Sequence, residues 1–251
     1  MTIIYDNYPG VEQLQAKWGF SCLIRGTEKT ILFDTGGEGW ALMANFKELK
    51  LDPKGIDAIV LSHVHWDHVG GLAAVAAERK GLPVYVPTGF PPGLLEHIRN
   101  LGNEPIEAPD SVQVCPGAKT TGTLGQGAIE EHALCVRTEK GWVMVTGCAH
   151  PGVHKLAAQA HQVTGGPIHA VFGGFHLLQK PESTIDGIAR RLENLGTELI
   201  GPTHCTGDPA RERFKTVLGD RCVLPGVGHV FKFSAAARKD KGRAQASEKT
   251  G

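Results

Sequence analysis

The sequence predicts an α/β fold, and three observations predict it. Apolar runs of strand length alternate with stretches of helical period. Glycines and prolines, 33 and 15 in number, gather at the ends of those runs, and histidines recur just past them. Strand, loop and helix in repetition is the order in which α/β folds present chemistry on their loops. A chain of 251 residues is long enough for one large domain with a buried core, assigned here to residues 1–233. Residues 234–251, made of Ala, Lys, Arg, Gly and Ser without an apolar period, are expected to form a disordered tail.

The elements follow in order. Residues 20–25 and 30–33 read as short strands joined through Gly26-Thr27-Glu28, a hairpin spacing. After Asp34-Thr35-Gly36-Gly37, Leu42, Phe46 and Leu49 recur at helical intervals until Pro53 and Gly55 stop the pattern. Residues 56–61 read as a buried strand, and a histidine cluster begins two residues after it ends. Gly70-Gly71 leads into an Ala-rich helix reaching about residue 80, and residues 83–86 form the next strand. In the second half, residues 133–137 and 142–146 pair around Lys140-Gly141, and helices fall near 152–163 and 183–195. Three strand ends there carry a histidine: Gly147-Cys148-Ala149-His150, Gly173-Gly174-Phe175-His176 and Pro202-Thr203-His204-Cys205.

Composition narrows the function classes. With 41% hydrophobic and 21% charged residues the chain is an ordinary globular one. Lys plus Arg equals Asp plus Glu at 26 each, so neither nucleic acid nor an anionic membrane is expected as a partner, and a small-molecule substrate is. No run approaches the ~20 apolar residues of a membrane span, and the N-terminus has no signal-peptide pattern. Six scattered cysteines without a Cys-x-x-Cys pair read as reduced thiols in a cytoplasmic protein.

The unusual count is 12 histidines, and the cluster His63-Val64-His65-Trp66-Asp67-His68 decides what they mean. Imidazole and carboxylate are ligands of zinc and related first-row divalent ions. His63 and His65, on alternate positions of an extended loop, can point the same way and grip one ion. Asp67 and His68 are adjacent and can turn toward a second ion a few ångströms away. Two ions at ~3.5–4 Å can share a hydroxide and make it a nucleophile near neutral pH. Two divalent transition-metal ions are therefore expected, zinc first, with manganese or iron as alternatives.

The His63-x-His65-x-Asp67-His68 signature, Asp34 after a Leu-Phe strand, and the ordered strand-end histidines resemble the metallo-β-lactamase superfamily. Within it the chain is most similar to the subgroup named for dihydropterin-ribofuranosylaminobenzene-phosphate synthase. That likeness rests on Gly19-Phe20-Ser21, Ile31-Leu32-Phe33-Asp34-Thr35-Gly36, Leu61-Ser62-His63, Thr146-Gly147-Cys148-Ala149-His150, Gly173-Gly174-Phe175-His176-Leu177 and Pro202-Thr203-His204-Cys205-Thr206-Gly207. The resemblance implies a four-layer αββα sandwich with the metals in a cleft between the ends of two sheets. It also implies His204 as a late ligand of the second ion and a mid-chain histidine as third ligand of the first. His150 is the preferred third ligand and His132 its competitor. Where the superfamily places a bridging Asp, this chain has Cys148. Either Cys148 bridges as a thiolate, or hydroxide alone bridges, or the second ion is weakly held.

The remaining residues carry paired readings. His176 is a further ligand, a group that holds substrate or protonates the leaving group, or a cap on a tight Gly-Gly turn. Asp34 orients a ligating imidazole or simply closes an Asp-Thr-Gly turn. Trp66 walls the pocket or packs on the sheet. His97, His154, His161, His169 and His229 read as ordinary surface or core histidines.

The function expected is a metal-dependent hydrolase in which a metal-bound hydroxide attacks an ester, lactone or phosphoester. Asp67 binds metal and orients the nucleophile, and His176 assists the leaving group. The alternative is the bond-forming synthase activity of the subgroup. A redox or non-catalytic role ranks below both, because no flavin domain follows residue 207 and the His-Asp-His cluster is complete.

Overall fold

The computed structural model describes residues 1–125 and 129–236. Six strands form the first sheet, in chain order: β1 (Thr2–Asp6), β2 (Phe20–Ile24), β3 (Ile31–Phe33), β4 (Ala58–Val60), β5 (Pro83–Val86) and β6 (Glu104–Glu107). The first three are antiparallel, and β3 through β6 are parallel. Six more form the second sheet, again in chain order: β7 (Gln113–Cys115), β8 (Ala118–Thr120), β9 (Leu134–Thr138), β10 (Gly141–Thr146), β11 (Ile168–Gly174) and β12 (Leu199–Thr203). Here β7 through β10 are antiparallel and β10 through β12 parallel. The helices are α1 (Gly39–Glu48), α2 (Trp66–Val69), α3 (Leu72–Glu78), α4 (Pro92–Asn100), α5 (Val153–Thr164), α6 (Glu182–Asn194) and α7 (Asp208–Leu218).

Three apolar clusters show how these pieces layer. Phe20, Cys22 and Ile24 of β2, with Ile31 and Phe33 of β3, meet Val143, Val145, Ala170 and Phe172 of the second sheet in a core between the sheets. The alternate residues Leu23, Leu32 and Ile59 point the other way, against Leu42, Phe46 and Val75 of α1 and α3. On the far side, Cys135, Met144 and Val171 pack under Leu156, Ile188 and Phe214 of α5, α6 and α7. The order is therefore helix, sheet, sheet, helix: the αββα sandwich. Because both faces of each central strand are buried, these strands read in sequence as continuous apolar runs rather than alternating ones.

Residues 1–2 and 230–235 pack together along the sandwich. The N-terminal ammonium donates to the Phe231 carbonyl at 2.9 Å, and Thr2 forms a bridge with Val230. Phe231 and Phe233 stack on Phe172 with ring centroids 4.6 and 6.0 Å apart. The Ser234 carbonyl accepts from the Glu139 amide at 2.9 Å, and Ala235 bridges Thr138. Of the expected tail, residues 237–251 lie outside the described residues.

Several elements were not expected from the sequence. β6 reads Glu-Pro-Ile-Glu and pairs only through β5, an edge position where Pro and charge are tolerated. β7 and β8 are three residues each, too short for a period to register. The Phe90-Pro91-Pro92 stretch opens α4 with Pro at its first position, where the missing N–H costs no helical bond. The strand expected over residues 56–61 pairs only at Ala58–Val60, although Ile56 and Leu61 are equally buried. Among the described residues no helix is long and apolar enough to cross a membrane.

Phe172 is fully buried at the centre of the inter-sheet core. Phe172→Ala is expected to cost about 3–5 kcal/mol, from lost burial plus the cavity left behind. Urea denaturation midpoints of the two proteins check this.

Candidate metal centre

Every histidine singled out at a strand end sits where a parallel strand finishes. β4 runs into Ser62, His63 and His65, and the backbone at His65 is extended (φ −64°, ψ 145°) before α2 turns Asp67 and His68 inward. From the other sheet, β10 ends in the turn bearing Cys148 and His150, β11 ends before His176, and β12 ends before His204 and Cys205. The carboxyl ends of parallel strands are where open α/β sheets place ligands. Ala149, His176 and His204 hold φ of 57°, 50° and 51°, left-handed conformations that side chains other than glycine rarely adopt and that cluster at functional sites. The two sheets touch at Gly147, where a Cβ would collide with Ser62 Oγ.

Two groups of three potential ligands face one another across this junction. The first is His63, His65 and His150, and the second is Asp67, His68 and His204; within each, the ligand atoms lie within 4.8 Å of one another. His63 Nε2 and His65 Nδ1 are 3.1 Å apart. Two zinc–nitrogen bonds of about 2.0–2.1 Å at a tetrahedral angle separate their nitrogens by roughly 3.3 Å. The spacing fits a shared ion. In the second group, Asp67 Oδ2 is 3.3 Å from His204 Nε2 and 3.7 Å from His68 Nε2. His204 Nε2 is buried and makes no hydrogen bond, an orphan nitrogen beside a carboxylate, which suits a cation. Cys148 Sγ groups with one histidine from each set, His63 and His68, and lies 3.3 Å from His68 Nε2. His150 joins His63 and His65, and His132 belongs to none of the groups.

The opposite ring nitrogens explain why these faces are free. Asp34 accepts from the Ser62 amide at 2.6 Å, from Ser62 Oγ at 2.7 Å and from His68 Nδ1 at 2.7 Å. The Ser62 hydroxyl, its one proton committed to Asp34, accepts from His63 Nδ1 at 2.9 Å. Glu131 accepts from His150 Nδ1 at 3.0 Å, and Asn7 Oδ1 accepts from His204 Nδ1 at 2.8 Å. With Nδ1 committed to these partners in all four rings, each Nε2 is left to face the cleft. Such partners fix tautomer and orientation in metal-binding histidines. Asp34 thus takes the imidazole-orienting role anticipated for it. Glu131, Ser62 and Asn7 were not anticipated, since an isolated acid or amide carries no pattern in sequence.

Glu131 also builds the turn that carries two of the donors. This fully buried carboxylate accepts the amides of Cys148, Ala149 and His150 at 3.0, 2.8 and 2.9 Å. Burial works to raise its pKa, and the charges and hydrogen bonds of His63, His150 and the Ala149 amide outweigh it, holding the group well below the usual carboxylate range. Burial pushes His63 well below the ordinary histidine range and His68 down to about 3, so both are neutral ligands at neutral pH. At Asp67 burial is again outweighed, by His204, and the carboxylate is held ionised.

The other candidates fall as follows. His176 is exposed, with its ring 4.5 Å from that of His150. A hydrogen bond with Cys205 raises its pKa against the effect of burial. Trp66 is 60% exposed and its ring lies over Gly37. Trp18, which the sequence did not single out, is exposed, and its ring centroid lies 4.9 Å from that of His204 with the planes tilted by 57°. His132 is fully buried with neither ring nitrogen hydrogen-bonded, and burial lowers its pKa to about 4.

Residues 19–154 match the family profile of the metallo-β-lactamase superfamily. The chain belongs to that superfamily. It is 30% identical, over 91% of its own length and 94% of the relative's, to the 7,8-dihydropterin-6-methyl-4-(β-D-ribofuranosyl)-aminobenzene-5'-phosphate synthase of Methanocaldococcus jannaschii. Among solved structures it is similar to Tm1679, described as a metal-dependent hydrolase of the β-lactamase superfamily (TM-score 0.78, 24% identity, 93% of this chain and 98% of that one). It is also similar to the metallo-β-lactamase fold protein YhfI from Bacillus subtilis (TM-score 0.66, 15% identity, 92% and 98%). At these identities the two structures speak to the fold alone. The metallo-β-lactamase fold carries divalent-metal binding with it, and the donor sets described above fit that role.

Two outcomes test this geometry. Glu131→Ala is expected to weaken metal binding by about 10–100-fold, measured by competition with a chelator, because His150 loses the group that orients it. The second concerns acid. His132 is neutral when folded down to about pH 4 but takes a proton near 6.5 once unfolded, so its contribution to stability is present above pH 6.5 and lost as pH falls toward 4. Metal-stripped His132→Leu should therefore lose about 2–3 kcal/mol less than wild type between pH 7 and 4.5, measured by urea denaturation.

Proposed function

We propose that the protein is a metal-dependent hydrolase of carboxyl esters, lactones or phosphoesters. Two facing donor triads joined at one cleft support this reading above all else. His63, His65 and His150 would hold one ion, and Asp67, His68 and His204 a second, with Cys148 between them. The donor set suits zinc first, with manganese or iron as alternatives. Bound there, the ions would supply Lewis acidity and activate water near neutral pH.

The chain's own groups divide the remaining work. Asp67, held ionised, would bind metal and accept a hydrogen bond from the attacking water, orienting it toward the substrate centre. His176, exposed and favoured in its protonated form, gives an imidazole N–H to the departing oxygen. Trp66, next to His65 and Asp67 in the chain, and Trp18, beside the His204 ring, are exposed and would shield one side of a bound substrate from water. All six cysteines are unpaired, which supports a reducing, cytoplasmic setting.

A second reading follows from the synthase of M. jannaschii, whose likeness spans nearly the whole of both chains. In it the same cleft joins a dihydropterin to an aminobenzene riboside phosphate. Elemental analysis of the purified protein, coupled to a panel of carboxyl esters, lactones and phosphate mono-, di- and triesters, tests the first reading. Turnover that persists after complete metal removal overturns it. Inactivity across the panel, with product formed from a reduced pterin and the aryl riboside phosphate, selects the second.

Asp67→Ala should abolish one equivalent of bound metal and lower kcat by at least about 100-fold. His176→Ala should lower kcat by about 100-fold or more for substrates with poor leaving groups and far less for activated ones, leaving KM nearly unchanged. The slope of log kcat against leaving-group pKa in the two proteins measures this.

A further inference from the structure

One cluster of strong donors is not used by either triad. Cys148 Sγ, Cys205 Sγ and a ring nitrogen of His176 lie within 4.8 Å of one another, brought together from the ends of β10, β12 and β11. Both thiols are buried, while His176 stands at the surface, so the cluster is enclosed on one side and reachable from solvent on the other. The backbone is shaped around it. Gly174 leaves the space that Cys205 occupies, since a Cβ there would meet Cys205 Sγ at 2.7 Å. Left-handed φ at Ala149, His176 and His204, each a member or neighbour of the cluster, turns the three donors inward. Cys205 Sγ makes a weak contact with the Cys148 carbonyl at 3.7 Å and hydrogen-bonds His176, so its polar partners come from the cluster itself.

We propose that Cys148, His176 and Cys205 form a third site, for a thiophilic d10 ion, Zn²⁺ or Cu⁺, that adjoins the two-ion centre through Cys148. Two thiolates and one imidazole are a soft donor set that selects such ions over magnesium, calcium or manganese. On binding Zn²⁺ both thiols lose their protons to solvent and two metal–sulfur bonds form, with the exposed side left for water or an added ligand. Cys148 is the shared corner, because its sulfur also faces His63 and His68 and a thiolate has lone pairs for more than one ion. The site goes beyond the hydrolytic reading and does not depend on it. It does bear on that reading in one respect: an ion held by the His176 nitrogen removes the proton donor, so occupancy and leaving-group protonation exclude each other.

The test uses reduced, metal-free, full-length protein titrated with Cd²⁺, with ions per chain counted by native mass spectrometry and cadmium–thiolate absorption followed in the ultraviolet. Wild type should bind three ions. Cys205→Ser should bind two, with the third equivalent weakened by more than the 10–100-fold that losing a mere supporting group costs, about, and with reduced thiolate absorption. Asp67→Ala should also bind two, but with the thiolate absorption intact, which separates failure of this site from failure of the two-ion centre. Two ions in wild type, or the same count and absorption in wild type and Cys205→Ser, overturns the proposal. The wild-type count decides the matter even where Cys205→Ser does not fold.

Discussion

The site depends on a single buried carboxylate. Asp34 follows β3, and through three hydrogen bonds it fixes the first residues of the neighbouring strand's loop and two imidazoles at once. His68 it holds directly, and His63 it holds through the Ser62 hydroxyl. These two histidines belong to different triads, so one acid sets the relative aim of both halves of the centre. Glu131 does the corresponding work from the second sheet, clamping three successive amides so that Cys148 and His150 face inward. Low dielectric strengthens both networks and makes any unpaired member costly, which is why each proton in them has one place to go.

The architecture follows from that requirement. A centre whose ligands come from two sheets needs the sheets to meet at a fixed separation, and the contact at Gly147 against Ser62 is where they do. Side chains of Phe20, Phe33 and Phe172 fill the space between the sheets below that point. The helices on either face bury the outward residues and leave the strand ends uncovered. The cleft is what remains.

Much of this was legible in the sequence. His63, His65, Asp67 and His68 lie within one short segment, so their chemistry could be read without knowing the fold. His150, His176 and His204 were legible because each follows an apolar run, and strand ends are where loops carry function. The choice of His150 over His132 agrees with the grouping of side chains. What could not be read was anything set by distance across the sandwich. Glu131 is an ordinary acid until the fold brings three amides to it, and Cys205 is an ordinary thiol until β10, β11 and β12 line up. β6, α4 and α7 escaped for the opposite reason: their polar, proline-bearing sequences look like loops, and packing rather than period makes them regular.

Asn7 follows the first strand, and His204, the ring it steadies, lies 197 residues later. The bond between them joins the turn after β1 to the turn after β12. During synthesis the His63–His68 segment leaves the ribosome long before its partners exist, and contacts of such sequence separation form late and slowly. Completing the second triad therefore requires a contact of long sequence separation, of the kind that slows folding.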